Sequence, residues 1–511
     1  MISMPRFSSK AKKVYDLIWY KSDIKSANAL VSELTTPVDI IFAKFWTATY
    51  YLIFFQRDLY LKILKEVEEN IKSNPDELFQ YHIKSFYFFY FSGFNCPTVS
   101  FDLANKYYSE LEAIYPQIAP YDDWEKFTLE GDYYHVQGFH SWRIENNLTK
   151  GIEYYKKCIE SFSQVPVDGD YLSKFMYLNN LGLLQRLAGY FDESEKNFLI
   201  CLEETQKYDN LWQKYPLGNL LHLHFQKGEI KKAIELNEQL FKVSSKFNDI
   251  VGIYGSLEHQ GDLCYAEGNY QKALEAYQES LTYRKAHTDG LELFKGYGKK
   301  FNFFYQSYKI SKDKDTLQKA EQVLSECTKL HESYPDDETI KNYTNFYQAC
   351  IFKYGSLNKR AKAGDIFEEL IKLYPYTWQF VGEYLELLFE DYLVSEAEET
   401  ISKIDALITK IYDIPLSITS IDSFVHQQLI LSKYQFYIKN DITEAFELLN
   451  KAKEKIAPYK LEFLNSKLDS NLKSFRQDRE KWDNIDITIK ERIKKSEFDK
   501  YIQEALKMKI L

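Results

Sequence analysis

The stretch of sequence that decides the fold runs from Tyr254 to Leu281 and reads YGSLEHQGDLCYAEGNYQKALEAYQESL. Apolar residues recur at helical spacing on both sides of Gly268. A glycine between two such runs is typical of the left-handed residue that ends a helix. The stretch therefore predicts two consecutive helices joined by a short turn at Gly268.

The same order of residues recurs upstream, in Leu178–Phe198 and in Leu217–Phe241. The turn glycines are Gly189, Gly228 and Gly268, so the spacing is 228 − 189 = 39 and then 268 − 228 = 40 residues. Self-similarity at a period of this length is the signature of a repeat protein, in which each unit buries its apolar face against its neighbours.

These units resemble the tetratricopeptide repeat (TPR) family, in its variants of about 40 residues per unit. The resemblance implies an all-α, right-handed solenoid of antiparallel helix pairs, a TPR superhelix. It places Gly182 and Gly261 where the two helices of a pair touch. A further small residue is expected at the closest crossing of each pair, at Gly151, Ser194, Ala233, Ala273, Ala320, Ala363, Ala397 and Ala445.

The quality of the resemblance suggests three segments. Residues 1–100 are predicted to be an N-terminal helical segment of degenerate repeats, 101–460 the TPR superhelix, and 461–511 C-terminal capping helices. Residues 451–511 carry 16 basic and 11 acidic side chains, a net charge of 16 − 11 = +5. Terminal repeats need a polar outer face, which favours a capping role. A regulatory or partner-docking tail is the alternative.

Composition narrows the function. The 511 residues carry a net charge of −10, which disfavours nucleic acid as a partner because its phosphates demand a basic surface. The 42 tyrosines and 36 phenylalanines need facing helices to pack against and exclude a disordered chain.

The apolar stretch 37–55 is predicted to be a buried helix, since Asp39 and Lys44 interrupt it, so no membrane partner is expected. The polar N-terminus indicates a cytoplasmic protein.

The sequence contains no recognisable catalytic or cofactor-binding motif. It has no phosphate-binding glycine loop and no nucleophile elbow, so we predict that the protein is not an enzyme and has no cofactor. His222 and His224 point about 200° apart on a helix and cannot share one metal, and no metal site is expected. The six cysteines follow no disulfide or zinc spacing, and five of them are interpreted as small buried hydrophobic residues: Cys158, Cys201, Cys264, Cys327 and Cys350.

The TPR resemblance also implies where a ligand binds, because the first helix of each pair lines the concave face in that family. The residues that it places in this groove are Asn180, Arg186, Asn219, His222, His259, Asp262, Tyr265 and Trp142. An asparagine amide can bond the N–H and C=O groups of an extended peptide, and arginine can hold a carboxylate. The other interpretation is that Asn180 and Asn219 merely bond neighbouring helices.

Three functions follow from the resemblance. The first is a scaffold or adaptor that binds a protein or peptide in the groove. The second is a ligand-responsive regulator, a peptide sensor, whose superhelix changes shape and partner affinity. The third is a non-catalytic subunit of an enzyme complex. The identity of the partner and the oligomeric state are left open.

The sequence makes one prediction about stability. Ala273→Leu should destabilise the central repeats by about 1–3 kcal/mol, because a larger side chain overpacks the closest crossing of two helices. Thermal unfolding followed by circular dichroism measures the effect. A melting profile like that of the wild type would show that the repeat register is wrong.

Overall fold

The computed structural model describes residues 7–53, 57–73, 76–92, 100–165, 172–288, 290–373, 378–395, 398–412, 421–439 and 441–457, with six positions between 468 and 475. Two compact units divide the chain. The first comprises Met1–Phe225 and Glu229–Leu263, and the second comprises Gln226–Gly228 and Cys264–Leu511. No β-strand occurs among the residues described, so the prediction of an all-α chain is confirmed.

Consecutive α-helices follow one another as pairs. The first seven pairs are α1 (Ser9–Trp19) with α2 (Ile24–Val31), α3 (Pro37–Ile53) with α4 (Arg57–Ser73), α5 (Glu77–Phe91) with α6 (Phe101–Ile114), α7 (Asp123–Arg143) with α8 (Leu148–Ser163), α9 (Leu172–Ala188) with α10 (Phe191–Lys207), α11 (Lys214–Gln226) with α12 (Ile230–Lys246), and α13 (Ile250–Ala266) with α14 (Tyr270–His287).

Four more pairs complete the described chain. They are α15 (Gly290–Ser311) with α16 (Lys314–Ser333), α17 (Glu338–Phe352) with α18 (Leu357–Leu373), α19 (Trp378–Ser395) with α20 (Glu398–Tyr412), and α21 (Ile421–Tyr437) with α22 (Ile442–Ile456). A 3₁₀ turn, Leu211–Gln213, leads directly into α11. The predicted capping helices of 461–511 lie almost wholly outside the described residues.

The predicted turn glycines are confirmed. Gly189, Gly228 and Gly268 have φ of 86°, 73° and 77°, the left-handed region that glycine enters without a steric penalty. The residue after each glycine donates its N–H to a carbonyl five residues back, at 2.8 Å in all three turns. This bond satisfies a carbonyl that the helix end leaves open, so the three turns are one repeated structure.

The small residues predicted at the helix crossings are buried where the structure describes them. Each is fully buried: Gly151, Ser194, Ala233, Ala273, Ala320, Ala363 and Ala445. Ala397 lies outside the described residues. At Gly182 a Cβ atom would come within 2.7 Å of the Phe198 ring, and the Ser194 hydroxyl donates to the Gly182 carbonyl at 2.7 Å. Helices α9 and α10 therefore touch at backbone distance.

The stretch 37–55 is a buried helix up to the end of α3. Ile41, Phe42 and Phe45 are buried there, while Asp39 accepts the Ser8 N–H at 2.8 Å and Lys44 pairs with Glu66 at 2.8 Å. No helix in the described part of the chain is both long and apolar enough to cross a membrane. Four of the five cysteines interpreted as hydrophobic residues are buried, and Cys264 is half-buried.

A buried ionic cluster holds three helices of the second unit together. The Lys353 ammonium, 1% exposed, lies 3.0 Å from Glu383 and 2.8 Å from Glu386. Lys309 pairs with the same two carboxylates, and the Tyr305 hydroxyl donates to Glu383 at 2.7 Å. These two lysines hold the pKa of Glu386 well below its usual value. Every charge in the cluster has an opposite partner, which buried charges require.

The crossing geometry makes a paired prediction. Gly182→Ala should destabilise the protein by about 1–3 kcal/mol, because the new methyl group overlaps the Phe198 ring. Gly255→Ala, at a helical position with nothing within 4 Å of the added methyl group, should instead stabilise it by about 0.5–1 kcal/mol. Chemical denaturation measures both. Equal effects of the two substitutions would contradict the close approach of α9 and α10.

Candidate functional site

The first unit contains a partly open cavity of about 210 Å³ lined mainly by aromatic and aliphatic side chains. Its walls come from the first helix of each of the first six pairs, α1, α3, α5, α7, α9 and α11, together with the 3₁₀ turn before α11 and Phe7 before α1. Within this unit, the first helices of the pairs therefore line the cavity.

Helical periodicity places the lining residues on one stripe of each helix. In α5 the stripe is Leu78, Phe79, His82, Ser85, Phe86 and Phe89, and in α7 it is Trp124, Glu125, Thr128, Asp132, His135 and Val136. Positions three, four and seven residues apart share one face of a helix, so both helices present a continuous face to the cavity. The helix backbones thus hold these side chains in fixed positions.

The N-terminal helices are anchored to a segment about 190 residues further along the chain. The Trp19 ring stacks on Trp212 with centroids 4.4 Å apart. Asn210 donates its amide to the Trp19 carbonyl at 3.0 Å, and the Leu211 N–H donates to the Ser22 hydroxyl at 3.2 Å. Because Asn210 is fully buried, this contact is part of the core. It brings α1 against the 3₁₀ turn and so completes the cavity wall.

The cavity wall holds one carboxylate with few partners. Asp132 accepts the Tyr177 hydroxyl at 3.0 Å, and its other oxygen lies 3.9 Å from His82 Nδ1. The Asp132 side chain keeps 29% of its accessible surface and lines the cavity. Burial raises its pKa to about 7, while the Tyr177 hydrogen bond opposes that rise. At neutral pH this carboxyl group is therefore divided between its charged and neutral forms.

Neighbouring His135 stays neutral. Its ring stacks on Phe89 at 4.6 Å and lies 4.8 Å from Tyr177. Burial lowers its pKa to about 3, because an apolar environment disfavours the imidazolium ion. His135 therefore contributes an aromatic surface to the cavity at physiological pH, and it brings no charge to Asp132.

Four tryptophans around the cavity have unsatisfied donors. The indole N–H groups of Trp19, Trp46, Trp124 and Trp212 are buried and have no acceptor in the described part of the protein, and all four residues line the cavity. A buried donor without an acceptor costs about 1–3 kcal/mol. These four donors thus have no acceptor in the described part of the protein, and neighbouring side chains cover them.

The predicted groove residues separate into different environments. Asn180 lines the cavity. The Asn219 side-chain amide donates to Oδ1 of the Asn179 side chain at 3.0 Å and joins α11 to α9, the structural role considered as the alternative. His222 and His259 lie with ring centroids 4.7 Å apart, and neither lines the cavity.

The remaining predicted residues lie elsewhere. Trp142 packs edge-on against Phe139 at 5.5 Å, in the core between helices. Arg186 is half-buried in the last turn of α9, and Asp262 is half-buried in α13. Tyr265 belongs to the second unit, where its ring packs against Phe303 at 5.8 Å. In α7 and α9 the cavity uses the N-terminal half of the first helix, before Trp142 and Arg186.

Sequence reasoning missed the N-terminal wall and Asp132. The only sequence signal for this wall is that tryptophan is rare, with seven in the chain. Nothing in the sequence indicates that Trp19, Trp46 and Trp212 lie close together. Asp132 directly precedes Tyr133 and Tyr134, and carboxylates are common on the helices of this chain. Within the described residues, no group of three or more histidines, cysteines or acidic residues is arranged to hold a metal ion.

Comparison with known proteins yields resemblances of fold. No protein-family model and no curated protein matches the sequence. Among solved structures, a Rap protein complexed with competence and sporulation factor is 14% identical, with TM-score 0.48, covering 80% of this chain and 99% of that one. The apo quorum sensor NprR from B. thuringiensis is 14% identical, with TM-score 0.46 and coverages of 72% and 97%. Aspartyl phosphate phosphatase F from Bacillus subtilis is 11% identical, with TM-score 0.46 and coverages of 76% and 97%.

The raised pKa of Asp132 makes a prediction about stability. Its value of about 7 lies above the ordinary 3.8. The folded state therefore binds the Asp132 proton more tightly than the unfolded state does. The unfolding free energy gained from this proton is lost as the pH rises from about 4 through 7. Asp132→Asn should therefore stabilise the free protein at pH 8, by roughly 1–3 kcal/mol after screening by water in the cavity.

The measurement is urea denaturation of both proteins between pH 5 and pH 8. The gain in unfolding free energy should shrink as the pH falls, because the wild-type carboxyl group takes up its proton. A difference that does not change with pH would mean that Asp132 is an ordinary solvated carboxylate.

Proposed function

We propose that this protein is a non-catalytic scaffold or adaptor that binds a peptide or a segment of a partner protein, and that an apolar side chain of the partner enters the aromatic cavity. The cavity itself carries this proposal. An enclosed apolar site with a few polar groups at fixed positions is the usual form of a binding site. Its volume of about 210 Å³ suits one large side chain rather than a folded surface.

The polar groups of the wall favour a peptide over a simple hydrocarbon. The indole N–H groups of Trp19, Trp46, Trp124 and Trp212 lack acceptors, and peptide carbonyls are acceptors. Asn180, which also lines the cavity, offers both an amide donor and an acceptor. Because neighbouring side chains cover the indole nitrogens, a carbonyl reaches them only when the rings shift as the partner enters.

A ligand-responsive regulator is the second candidate, and the composition of the wall favours it. The helices α1 and α3 supply Trp19, Phe42, Phe45, Trp46, Thr49 and Leu52 to the cavity. A ligand that fills the cavity contacts α1 and α3 together with α5, α7, α9 and α11. Binding therefore changes the stability of the N-terminal wall. Small-angle scattering with and without a bound peptide separates the two functions, since only the regulator changes its solution dimensions.

Of the groove residues predicted from the sequence, Asn180 belongs to this proposal through its place in the cavity wall. A binding role for the other seven remains a prediction from the family resemblance. Substitution of Asn219 tests binding less directly, because it also breaks the hydrogen bond between Asn219 and Asn179.

Filling the cavity tests the proposed function. Peptides selected from a random display library on the full-length wild-type protein should bind Met176→Trp at least about tenfold more weakly, because the indole occupies space that the partner needs. Met176 lines the cavity on α9. Leu199→Trp is the matched control, since Leu199 is 51% exposed on α10 and makes no part of the wall.

Circular dichroism and fluorescence polarisation give the readout for both variants. The proposal predicts helical content like the wild type in both, with lost peptide affinity only in Met176→Trp. If every selected peptide binds Met176→Trp and Leu199→Trp equally well, the cavity is not the binding site.

A further inference from the structure

We propose that the cavity selects a ligand group with a positive charge, an amine or guanidinium on an apolar frame, which pairs with Asp132. This inference rests on the proposed function, because it names the chemistry of the group that enters the cavity. Among the residues that line the cavity are two carboxylates, Glu125 and Asp132, and neither a lysine nor an arginine. The wall therefore attracts cations and lacks a cation of its own.

The two carboxylates are not equivalent. Glu125 accepts the Tyr121 N–H at 2.9 Å, next to the start of α7, and is 2% exposed, so the helix end uses its charge. Asp132 lies in the middle of α7 and has a neutral donor, the Tyr177 hydroxyl, on one oxygen. A carboxylate in an apolar wall gains most from a cationic partner, because water is excluded and the pair is little screened.

The groups that face Asp132 from every side are neutral or distant. From α5 they are Tyr81 and His82, from α7 His135, from α8 Cys158, and from α9 Tyr177. Burial raises the pKa values of the Tyr81 phenol and the Cys158 thiol and lowers that of His135 to about 3, so these three carry no charge at neutral pH. His82 is the other neighbour with a ring nitrogen nearby, and its Nδ1 lies 3.9 Å from an Asp132 oxygen.

The aromatic rings around Asp132 complete a cation site. Phe45 lies 5.6 Å from the His82 ring and stacks on Phe86 at 5.2 Å, and both rings line the same cavity as Asp132. The faces of such rings carry partial negative charge and attract ammonium and guanidinium groups. A carboxylate enclosed by aromatic rings discriminates in favour of an organic cation over a neutral group of the same shape, and against any anion.

Two small probes of nearly equal shape test the charge preference. They are 2-phenylethylamine, which is cationic at pH 8, and 2-phenylethanol, which is neutral. Isothermal titration of the full-length protein at pH 8 should show the amine binding at least about tenfold more tightly than the alcohol. In Asp132→Asn the ratio of the two affinities should fall to about one, through loss of amine affinity.

Asp123→Asn is the matched control for this measurement. It removes the same charge from the same helix at an exposed position in the first turn, so it should keep the wild-type ratio. If Asp132→Asn does not fold, the pH dependence of the wild type replaces it. Amine affinity should rise from pH 6 to pH 8 as Asp132 ionises, while alcohol affinity stays constant.

Peptide probes separate the two sources of the cation. A peptide partner predicts that phenylalanyl-alanine amide binds and that its N-acetylated form, without the amino charge, binds at least about tenfold more weakly. If 2-phenylethylamine shows the preference and the dipeptide does not bind, the cation is a free amine, and the proposal of a charge-selective site stands.

The remaining outcomes overturn the inference, and they distinguish it from the proposed function. Equal affinities for amine and alcohol in the wild type, or an amine preference that survives in Asp132→Asn, overturn the charge pairing and leave the apolar cavity as a binding site. If neither probe nor any peptide binds in the cavity, both the inference and the proposed function fail.

Discussion

The structure of the first unit depends on the contact between Trp19 and Trp212. The two indoles stack at 4.4 Å, and the buried Asn210 amide ties the Trp19 carbonyl to the same place. This contact holds α1 against the 3₁₀ turn before α11, while Phe45 of α3 stacks on Phe86 of α5 at 5.2 Å. One long-range contact thereby turns a series of local helix pairs into an enclosure.

Close approach of helices explains why the chain is so rich in aromatic residues. A glycine such as Gly182 or Gly138 lets a ring from the partner helix, Phe198 or Tyr155, lie directly on the backbone. Large rings then fill the space between pairs, since protein interiors leave few voids. Where first helices of six pairs face one another at a greater distance, the same rings line a cavity instead of filling it.

Two sites with buried charge differ in how their charges are partnered. In the second unit Lys353 and Lys309 share Glu383 and Glu386, and the cluster is complete within the protein. In the first unit Asp132 has a tyrosine hydroxyl and a distant imidazole. The first arrangement stabilises helix packing. In the second arrangement, the Asp132 carboxylate has no lysine or arginine partner among the residues that line the cavity, and a cationic ligand can take that place. Carboxyl groups with such a raised pKa in a cavity are candidates for functional sites.

Local sequence determined the helices, the turns at Gly189, Gly228 and Gly268, and the small residues at the crossings, because each depends on backbone conformation or on contact between adjacent helices. The family resemblance placed a groove on the first helices, and the cavity of the first unit is lined by first helices and by Asn180. Only the tertiary structure decided which part of that surface is enclosed. Trp19 meets Trp212 across 212 − 19 = 193 residues, and Asp132 becomes unusual only because the surrounding helices partly bury it and so raise its pKa. Neither property follows from spacing along the chain, since both depend on which distant side chains share one volume.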